Sequence, residues 1–293
     1  YKANTLDVLL LFTNQGNYLY LPVYELPEGK WKELGKHVSN LIKLDPYEEI
    51  ISSFLISTFD TEDYVTIFTK NGMVKRSYLK DFKVVRYSKP ITAIKLKEND
   101  EVVAVSKEDK PYVFLVTKRG YALTYETSEI PLAGLKASGV KAISLKEDTV
   151  VSATLYDDTL EYISVLTSKG TGKRVRKCEF DLMSRARKGI QMIKEVKTNP
   201  YFIFGAFYGS LQEEIGMVTK EETFFVKTKE LPISDRYSSG TSITKKEILK
   251  VFEKQTLVKK EEKEEPKVEV LDLEEIDQKI YTIEDYLNQI EEK

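Results

Sequence analysis

Cysteine, histidine and tryptophan are nearly absent from this sequence of 293 residues, which contains one of each. The single cysteine, Cys178, excludes an internal disulfide framework. Together with the single histidine, His37, it cannot supply a zinc site of the usual Cys/His type. We therefore expect no metal site, and we expect neither residue to act as a nucleophile, because nothing in the sequence pairs the two.

Long apolar runs are absent as well. No stretch approaches the roughly 18 consecutive apolar residues of a membrane-spanning helix, and no leader peptide with a small-residue cleavage site opens the sequence. We expect a soluble protein without a membrane partner. Because the sequence starts at Tyr1 and not at Met, we also expect a fragment or a processed product.

The charge is balanced overall but unevenly distributed. The formal net charge is −2, and the 41% of apolar residues is enough to build a core, which excludes disorder throughout. Residues 251–293 contain 14 acids and 7 bases, whereas residues 1–250 contain 33 acids and 38 bases. A basic body with an acidic tail indicates contact with a polyanion, modulated by an internal competitor.

A repeat of about fifty residues organises the body. An apolar run that ends in threonine recurs at Thr13, Thr69, Thr117, Thr167 and Thr219, at intervals of 56, 48, 50 and 52 residues. A glycine follows three residues later in four units, at Gly16, Gly72, Gly120 and Gly170. An acid follows twelve residues after the threonine at Glu25, Asp81, Glu129 and Glu179, and one residue early at Glu230. We interpret these positions as structural, with the acid satisfying a backbone donor or pairing with a neighbouring unit.

Each unit holds about four short segments rich in Val, Ile, Tyr and Thr, separated by Gly-containing turns such as Asn71-Gly72. Such segments are typical of strands, and four strands repeated in this way are typical of propeller blades. We predict an all-β, propeller-like disc over residues 1–250. Its units are predicted at about 1–58, 59–105, 106–155, 156–208 and 209–250, with a tail at 251–293.

Basic residues concentrate in two units. Residues 67–97 contain nine bases and one acid, and residues 169–188 contain eight bases and two acids. Many of them follow the Thr-x-x-Gly turn at the same place in their units, so closing the disc brings them to one rim. A basic rim is suited to duplex DNA, although solvated strand faces are the plainer alternative. The candidate DNA-binding residues are Lys70, Lys75, Arg76, Lys83, Arg86, Lys89, Lys118, Arg119, Lys136, Lys141, Lys169, Lys173, Arg174, Arg176, Lys177, Arg185, Arg187 and Lys188.

Three stretches resemble a known family. Asp7-Val8-Leu9-Leu10-Leu11-Phe12-Thr13-Asn14-Gln15-Gly16-Asn17-Tyr18-Leu19-Tyr20, Trp31-Lys32-Glu33-Leu34-Gly35-Lys36-His37 and Phe68-Thr69-Lys70-Asn71-Gly72-Met73-Val74-Lys75 are similar to the C-terminal domains of bacterial topoisomerase IV A subunits (ParC). The similarity covers residues 1 to about 250. It implies a β-pinwheel, a disc whose blades exchange strands, which binds and bends DNA along a basic rim.

The resemblance also implies a role in a larger enzyme. The domain presents DNA segments to a strand-passing core for decatenation and relaxation, in the bacterial cytoplasm and in association with the nucleoid. The implied partners are duplex DNA, the A-subunit core and the B subunit. The implied ATP and Mg²⁺ belong to the parent enzyme, and we expect no cofactor and no catalytic residue in this chain.

The sequence departs from the family in two places. Gyrase-type domains carry a Gln-Arg-Arg-Gly-Gly-Lys-Gly box in their first blade. Nothing here matches that box, and residues 29–35 are a poor substitute. In addition, Tyr1 aligns with the start of the second blade of a six-bladed domain. We therefore predict that one blade is missing and that the disc has a gap.

Other interpretations of single features carry less weight. Arg236-Tyr237 resembles the arginine–tyrosine pair with which type II topoisomerases attack DNA, but it lies in a Ser/Gly-rich loop far from any matching core sequence. A protein-interaction propeller without a DNA role is the main alternative function. A hydrolase working at the central channel is a third, and it lacks a visible cluster of catalytic groups.

The tail has two parts. Residues 259–267 form a Lys/Glu run with Pro266 that is typical of a solvated linker. Beyond it, apolar residues recur at intervals of three and four, at Leu273, Ile276, Ile280, Ile283, Leu287 and Ile290. This pattern predicts an amphipathic helix. The helix either docks on a partner or on the rim, where its acids compete with phosphate, or only shields an apolar patch.

Overall fold

A computed structural model describes residues 2–30, 32–159, 161–194, 196, 198 and 200–253. Strands and short 3₁₀ helices make up its regular structure, and the described part of the chain contains no α-helix. The predicted all-β class is therefore confirmed. The predicted acidic helical tail lies outside the described residues.

Five sheets follow one another along the chain. The strands are β1 (Val8–Thr13), β2 (Asn17–Pro22), β3 (Ile50–Ile56), β4 (Tyr64–Thr69), β5 (Met73–Tyr78), β6 (Ile91–Thr92), β7 (Val102–Ser106), β8 (Tyr112–Thr117), β9 (Tyr121–Glu126), β10 (Val140–Lys141), β11 (Val150–Tyr156), β12 (Tyr162–Thr167), β13 (Thr171–Arg176), β14 (Ile190–Gln191), β15 (Ile203–Tyr208), β16 (Glu214–Thr219), β17 (Thr223–Lys227), β18 (Thr241–Ser242) and β19 (Ile248–Glu253). The 3₁₀ helices are Val23–Glu25, Val38–Asn40, Leu79–Phe82, Thr127–Glu129, Lys177–Glu179 and Thr228–Glu230. The strand orders are β3-β1-β2-β6, β10-β5-β4-β7, β11-β8-β9-β14, β15-β12-β13-β18 and β17-β16-β19. These five sheets are blades one to five, and they confirm the five-bladed propeller.

The repeated threonine and glycine build the hairpin at the heart of each blade. Gly72 has φ +76°, and its N–H donates to the Thr69 carbonyl at 3.0 Å. The buried Thr69 hydroxyl accepts from the Met73 N–H at 3.1 Å, which closes the turn from inside. A left-handed φ suits glycine because it carries no Cβ. The structural interpretation of these two positions is confirmed.

The outermost strand of each of blades one to four comes from the following unit. β6 pairs with β2, β10 with β5, β14 with β9 and β18 with β13, each through two residues. The exchanged chain lies very close to the blade that receives it. A Cβ added at Gly139 would lie 2.3 Å from the Val74 carbonyl oxygen, and φ there is +77°. The strand exchange implied by the resemblance is therefore present, and the units of the sequence differ from the blades by one strand.

The opposite edge of each blade lies at the centre of the propeller. β7 lies against β3 and β11, and β15 lies against β11 and β19. Apolar clusters fill the wedges between successive blades; in the first wedge Phe12 and Tyr18 pack around Phe82, with ring centroids 5.5 and 5.1 Å from it. Burying these side chains supplies the main stabilisation of each blade pair.

One face of the first blade is covered by later residues of its own unit. Leu11, Leu19 and Leu21 on that face pack against the buried Ile42. Among the described residues no apolar cluster joins blade five to blade one, and the predicted gap in the disc stays a prediction. The loss of one blade from a six-bladed disc stays a prediction. The predicted domain end at residue 250 falls inside β19, which continues to Glu253.

The repeated acid also has a structural task. The Glu129 carboxylate accepts from the Arg185 N–H at 2.8 Å, and the Glu179 carboxylate accepts from the Arg236 N–H at 2.7 Å. Each acid therefore holds the chain that arrives from the next unit. The predicted pairing of the repeated acid with a neighbouring unit is confirmed at these two positions.

Candidate nucleic-acid interface

A segment of the following unit runs along the outer edge of each of blades one to four, and we call these segments the rim loops. They are residues 84–92, 132–141, 182–191 and 233–242, and each ends in an exchanged strand. Backbone hydrogen bonds fix the start of three of them on the blade. Ala133 N–H donates to the Arg76 carbonyl, Met183 N–H to that of Thr124 and Ser234 N–H to that of Arg174, each at 2.9 Å.

The rim loops are basic. Together they contain eight bases and a single acid, Asp235. The bases are Arg86, Lys89, Lys136, Lys141, Arg185, Arg187, Lys188 and Arg236. Six of them are exposed, and the exceptions, Arg185 and Arg236, are half-buried. A row of fixed loops with exposed bases on successive blades is suited to a polyanion that runs from blade to blade.

Charge also differs between the two ends of the strands. The hairpin turns, residues 14–16, 70–72, 118–120, 168–170 and 220–222, contain five bases and two acids. The loops that follow the inner strands at the other end, residues 57–63, 107–111, 157–161 and 209–213, contain two bases and nine acids. The turn end therefore extends the basic rim, and the opposite end repels phosphate.

Two predicted DNA contacts are wrong, because Lys75 and Lys173 are buried in the blades. Lys75 is 1% exposed and Lys173 is 0% exposed. The Lys75 ammonium donates to the Leu135 and Gly134 carbonyls at 2.8 and 3.0 Å, and also to the Ala93 carbonyl. Burial lowers the pKa of each lysine to about 8. These lysines hold rim loops from within and do not reach a phosphate.

Lys173 has the more complete set of acceptors. Its ammonium donates to four backbone carbonyls, those of Ser238, Arg236, Met192 and Asp235, at 2.6, 2.7, 2.9 and 3.2 Å. Three of these carbonyls belong to the rim loop of blade four. An ammonium group surrounded by carbonyls acts as a cross-link between strand and loop.

Arg174 and Arg185 also serve the fold more than the surface. Arg174 is 9% exposed, and its guanidinium donates to the Leu231 and Lys229 carbonyls at 2.7 and 3.3 Å. Arg185 is half-buried and donates to the Glu129 and Lys141 carbonyls at 3.0 and 2.5 Å. The predicted phosphate contact of Arg174 is therefore wrong. Arg185 can present only part of its guanidinium to a phosphate.

Three further candidates form ion pairs. Lys70 lies 3.5 Å from the Glu101 carboxylate, Arg76 lies 2.5 Å from that of Asp109, and Lys177 pairs with Asp158. Arg76 also stacks on Tyr64, with 3.8 Å from its guanidinium carbon to the ring centroid. The three carboxylates are 47%, 58% and 70% exposed. Ion pairs with partners at the surface are weak, so they reduce but do not remove the ability of these three bases to meet a phosphate.

The remaining candidates lie at the surface. Lys83, Lys118, Arg119 and Arg176 are exposed, and the Lys169 ammonium lies 3.8 Å from the centre of the Tyr201 ring. Arg119 lines a cleft of about 170 Å³ at the turn end of blade three, together with Lys146, Asp148 and Lys188. Lys188 donates to the Tyr121 hydroxyl at 3.0 Å in the same cleft.

Sequence reasoning missed Lys146 and Arg236 as members of this surface. Lys146 lines the cleft with Arg119, and Arg236 occupies in the fourth rim loop the place that Arg185 has in the third. Alignment of the repeats would have found Arg236, since both residues donate a backbone N–H to the repeated acid. No local pattern marks Lys146.

His37, Cys178 and the Arg236-Tyr237 pair form no catalytic arrangement in the part of the chain that the structure describes. The His37 ring contacts the Ser39 hydroxyl at 2.7 Å, and Cys178 is an exposed free thiol in another blade. The Arg236 guanidinium lies 4.8 Å from the Tyr237 ring centre. In the same part of the chain no group of three or more His, Cys, Asp or Glu residues is placed to hold a metal ion, and no helix is long and apolar enough to cross a membrane.

Comparison with known sequences identifies the family. A family model described as "DNA gyrase C-terminal domain, beta-propeller" matches residues 7–57, 63–107, 111–156 and 161–207, more than half of the chain. The A subunit of DNA topoisomerase 4 from Bacillus subtilis (strain 168) is 41% identical over 244 residues, 82% of this chain and 30% of that protein. The corresponding protein of Staphylococcus aureus (strain MSSA476) is 35% identical over 254 residues, 83% of this chain and 30% of that protein. The chain thus spans about 30% of the length of these curated relatives.

Comparison with solved structures agrees. The crystal structure of the C-terminal domain of DNA topoisomerase IV has a TM-score of 0.83 and 41% identity, covering 85% of this chain and 80% of that one. The DNA gyrase A C-terminal domain, with a TM-score of 0.68 and 22% identity over 86% of this chain and 83% of that one, shows the fold alone. The E. coli ParC C-terminal domain also shows the fold alone, with a TM-score of 0.60 and 11% identity over 85% of this chain and 99% of that one. The chain therefore belongs to the family of gyrase-type C-terminal β-propeller domains, and within it to the non-catalytic C-terminal domains of topoisomerase IV A subunits.

Proposed function

We propose that this domain binds duplex DNA along the outer rim of blades one to four and bends it around that rim. The observation that carries the proposal is the set of rim loops, with eight bases and one acid, each fixed on a neighbouring blade by backbone hydrogen bonds or an exchanged strand. A fixed row of bases attracts phosphates wherever the duplex follows it. Binding of this kind depends on DNA deformability more than on base identity.

The binding residues of the proposal are the exposed ones. Lys136 and Lys141 lie on blade two, Arg187 and Lys188 on blade three, and Arg119 on the adjoining turn. Further exposed candidates are Lys83, Arg86, Lys89, Lys118 and Arg176. The acidic loops at the opposite strand ends orient the duplex toward the turn end of the rim.

The larger role follows from the family. The domain presents DNA segments to the strand-passing core of a topoisomerase IV, for decatenation and relaxation of DNA in association with the nucleoid. The A-subunit core and the B subunit are the protein partners in this proposal. ATP and Mg²⁺ serve those other parts of the enzyme, and this domain contributes DNA geometry and no chemistry.

The proposal is tested by duplex binding measured across a salt series. The test variant replaces Arg119, Lys136, Arg187 and Lys188 with alanine. Each lost phosphate contact lowers the slope of log affinity against log salt by about 0.9, so four losses reduce it by about 3.6. Affinity at about 50 mM salt then falls far more than affinity at about 200 mM salt, where counterion release contributes less.

A matched control removes the same charge elsewhere. Lys2, Lys32, Lys36 and Lys43 are exposed residues of the first unit outside the rim loops, and their replacement with alanine should leave the slope nearly unchanged. Equal losses in both variants would show that net charge alone drives binding and would contradict the rim. If the domain is instead a protein-interaction propeller, it should retain no duplex, and its affinity for a protein partner should be nearly independent of salt.

A further inference from the structure

The cleft at the turn end of blade three brings together three bases from three separate segments. Arg119 belongs to the hairpin turn of blade three, Lys188 to the rim loop of that blade, and Lys146 to the loop between β10 and β11. All three are exposed, and among the described residues no carboxylate forms an ion pair with any of them. Three positive charges that no ion pair engages therefore face one small space.

Hydrogen bonds to the backbone fix the walls of this cleft on one another. Ser144 N–H donates to the Arg187 carbonyl at 2.9 Å, which joins the loop between β10 and β11 to the rim loop. Asp148 also lines the cleft, and its carboxylate accepts from the N–H groups of Arg119 and Thr149 at 3.0 and 2.8 Å. This acid holds the turn in place and leaves the cleft with an excess of positive charge. The cleft is thus formed by the fold before a ligand arrives.

The side chain of Lys188 is also held in position. Its ammonium donates to the Tyr121 hydroxyl at 3.0 Å and lies 4.1 Å from the centre of the Tyr121 ring. Tyr121 is itself anchored, since its N–H donates to the buried Thr117 hydroxyl at 3.0 Å. A lysine that is already ordered loses less conformational entropy on binding than an ordinary surface lysine. A tyrosine, unlike a carboxylate, leaves the positive charge of its partner available to an anion.

The size and the charge of the cleft identify the class of ligand. Its volume of about 170 Å³ is well below the roughly 300–1,000 Å³ of sites for drug-sized molecules. An arginine guanidinium binds a phosphate through two parallel hydrogen bonds, and a lysine binds it as a point charge. One arginine and two lysines around a small space are therefore suited to a single phosphate group.

Only blade three has this arrangement among the four blades that carry rim loops. Arg119 stands two residues after the repeated threonine, and Lys188 stands two residues before the exchanged strand. At these two positions the other blades have at most one base, with Gln15 and Lys89 in blade one, Asn71 and Ser138 in blade two, and Lys169 and Ser239 in blade four. A duplex that follows the rim thus meets one formed phosphate site and, elsewhere, separate bases.

We propose that the cleft of Arg119, Lys146 and Lys188 holds one phosphate of the bound duplex and thereby fixes the position of the duplex along the rim. This inference rests on the proposed function and deepens it. The scattered bases attract whichever phosphate is near, so the duplex can slide past them. A phosphate that enters the cleft is held by three side chains at once, and the duplex then has one preferred register on the disc.

The test uses two variants with the same loss of charge. The cleft variant is Arg119→Ala, Lys146→Ala, Lys188→Ala, and the scattered variant is Lys89→Ala, Lys136→Ala, Arg187→Ala, with one exposed base removed from each of three rim loops. Thermal unfolding checks that both variants are folded. All measurements use the complete chain.

The first measurement uses inorganic phosphate as the probe. It replaces chloride at constant ionic strength while the amide resonances of the chain are followed. We expect saturable shifts at Arg119, Ser144 and Lys188 in the unsubstituted chain and in the scattered variant, and none in the cleft variant. Shifts that do not saturate, or that persist in the cleft variant, would overturn the inference. A short duplex should displace the phosphate; phosphate that stays bound at duplex saturation would assign the cleft to free phosphate and not to DNA.

The second measurement is duplex affinity across a salt series. The cleft variant loses one phosphate contact and the scattered variant loses three, so the slopes of log affinity against log salt should fall by about 0.9 and about 2.7. For the same reason the four-residue variant of the proposed function should lower the slope by about 2.7 and not 3.6, because Arg119 and Lys188 share one phosphate. The cleft variant should still bind about tenfold or more weakly, since it loses several charge-assisted hydrogen bonds.

Equal slopes for the two variants would show that the three cleft bases meet separate phosphates, and the inference would be wrong. The proposed function fails in a different way. In that case the unsubstituted chain retains no duplex at any salt concentration, whatever the titration with inorganic phosphate shows.

Discussion

Replacing Lys173 with methionine tests how the rim loops are held. The ammonium group is fully buried and donates to four backbone carbonyls, three of them in the fourth rim loop. Methionine fills most of the same space but donates nothing, so these acceptors lose their partner. The loop moves enough to readmit some water, which recovers part of the loss.

The expected magnitude follows from the number of acceptors. A buried polar group left without a partner costs about 1–3 kcal/mol, and two of the four carbonyls regaining water leaves a loss of about 3 kcal/mol in the free energy of unfolding. For a domain of this size that loss lowers Tm by about 6–12 °C. Denaturant unfolding at neutral pH, followed by circular dichroism, measures the free energy directly.

The control for this prediction is Lys194→Met, which removes the same charge from an exposed position in the same unit. It should change the free energy of unfolding by less than about 0.5 kcal/mol. If Lys173→Met changes the free energy of unfolding as little as Lys194→Met does, the backbone hydrogen bonds alone hold the rim loop. The cross-linking role assigned to the buried lysines would then be wrong.

Three other predictions concern the same architecture. Between about pH 8 and pH 10.5 the unfolded chain keeps the Lys173 proton that the native chain has lost, because burial lowers the native pKa to about 8. The stability advantage of the unsubstituted chain over Lys173→Met should therefore rise by up to about 1.4 kcal/mol per pH unit in this range. An advantage that stays constant over this range and falls only above about pH 10.5 would show that the carbonyls outweigh burial. Gly139→Ala should lower the free energy of unfolding by about 2 kcal/mol or more, since its Cβ would lie 2.3 Å from the Val74 carbonyl oxygen at φ +77°. The control Gly134→Ala, which has open space around it, should be nearly neutral. Equal effects of the two substitutions would refute the close approach of the chain at Gly139. Glu179→Ala should lower the free energy of unfolding by about 1–2 kcal/mol and speed amide exchange of Arg236, because the Arg236 N–H donates to the Glu179 carboxylate at 2.7 Å. Unchanged exchange would contradict the anchoring role of the repeated acid.

Much of the fold could be predicted because the repeat is regular. The recurring threonine and the glycine three residues later mark a turn in which Gly72 needs a left-handed φ, and the apolar segments around it alternate as strands do. Strand exchange could not be derived from periodicity, since β6 and its equivalents are only two residues long. Only the family resemblance implies it.

The candidate site was harder to predict because the charge of a residue does not show whether its side chain is exposed. Lys75 and Lys173 belong to the basic clusters by charge, although each lies six residues after the repeated threonine, where the buried Leu19 and Leu123 stand in blades one and three. That register is a buried position, so alignment of the units would have shown both lysines to be internal. Arg174, one residue further along, is buried and donates to the carbonyls of Lys229 and Leu231 in the next unit, which no local pattern reveals.

Amide exchange of the domain with and without a short duplex maps the DNA path without any substitution, and it therefore decides whether DNA follows the rim. We expect protection in the rim loops at 132–141 and 182–191 and in the turn at 118–120, declining as salt rises. We expect no change in the acidic loops at 57–63 and 209–213. Protection confined to those acidic loops, or none at a duplex concentration that saturates binding, would contradict a DNA path along the rim.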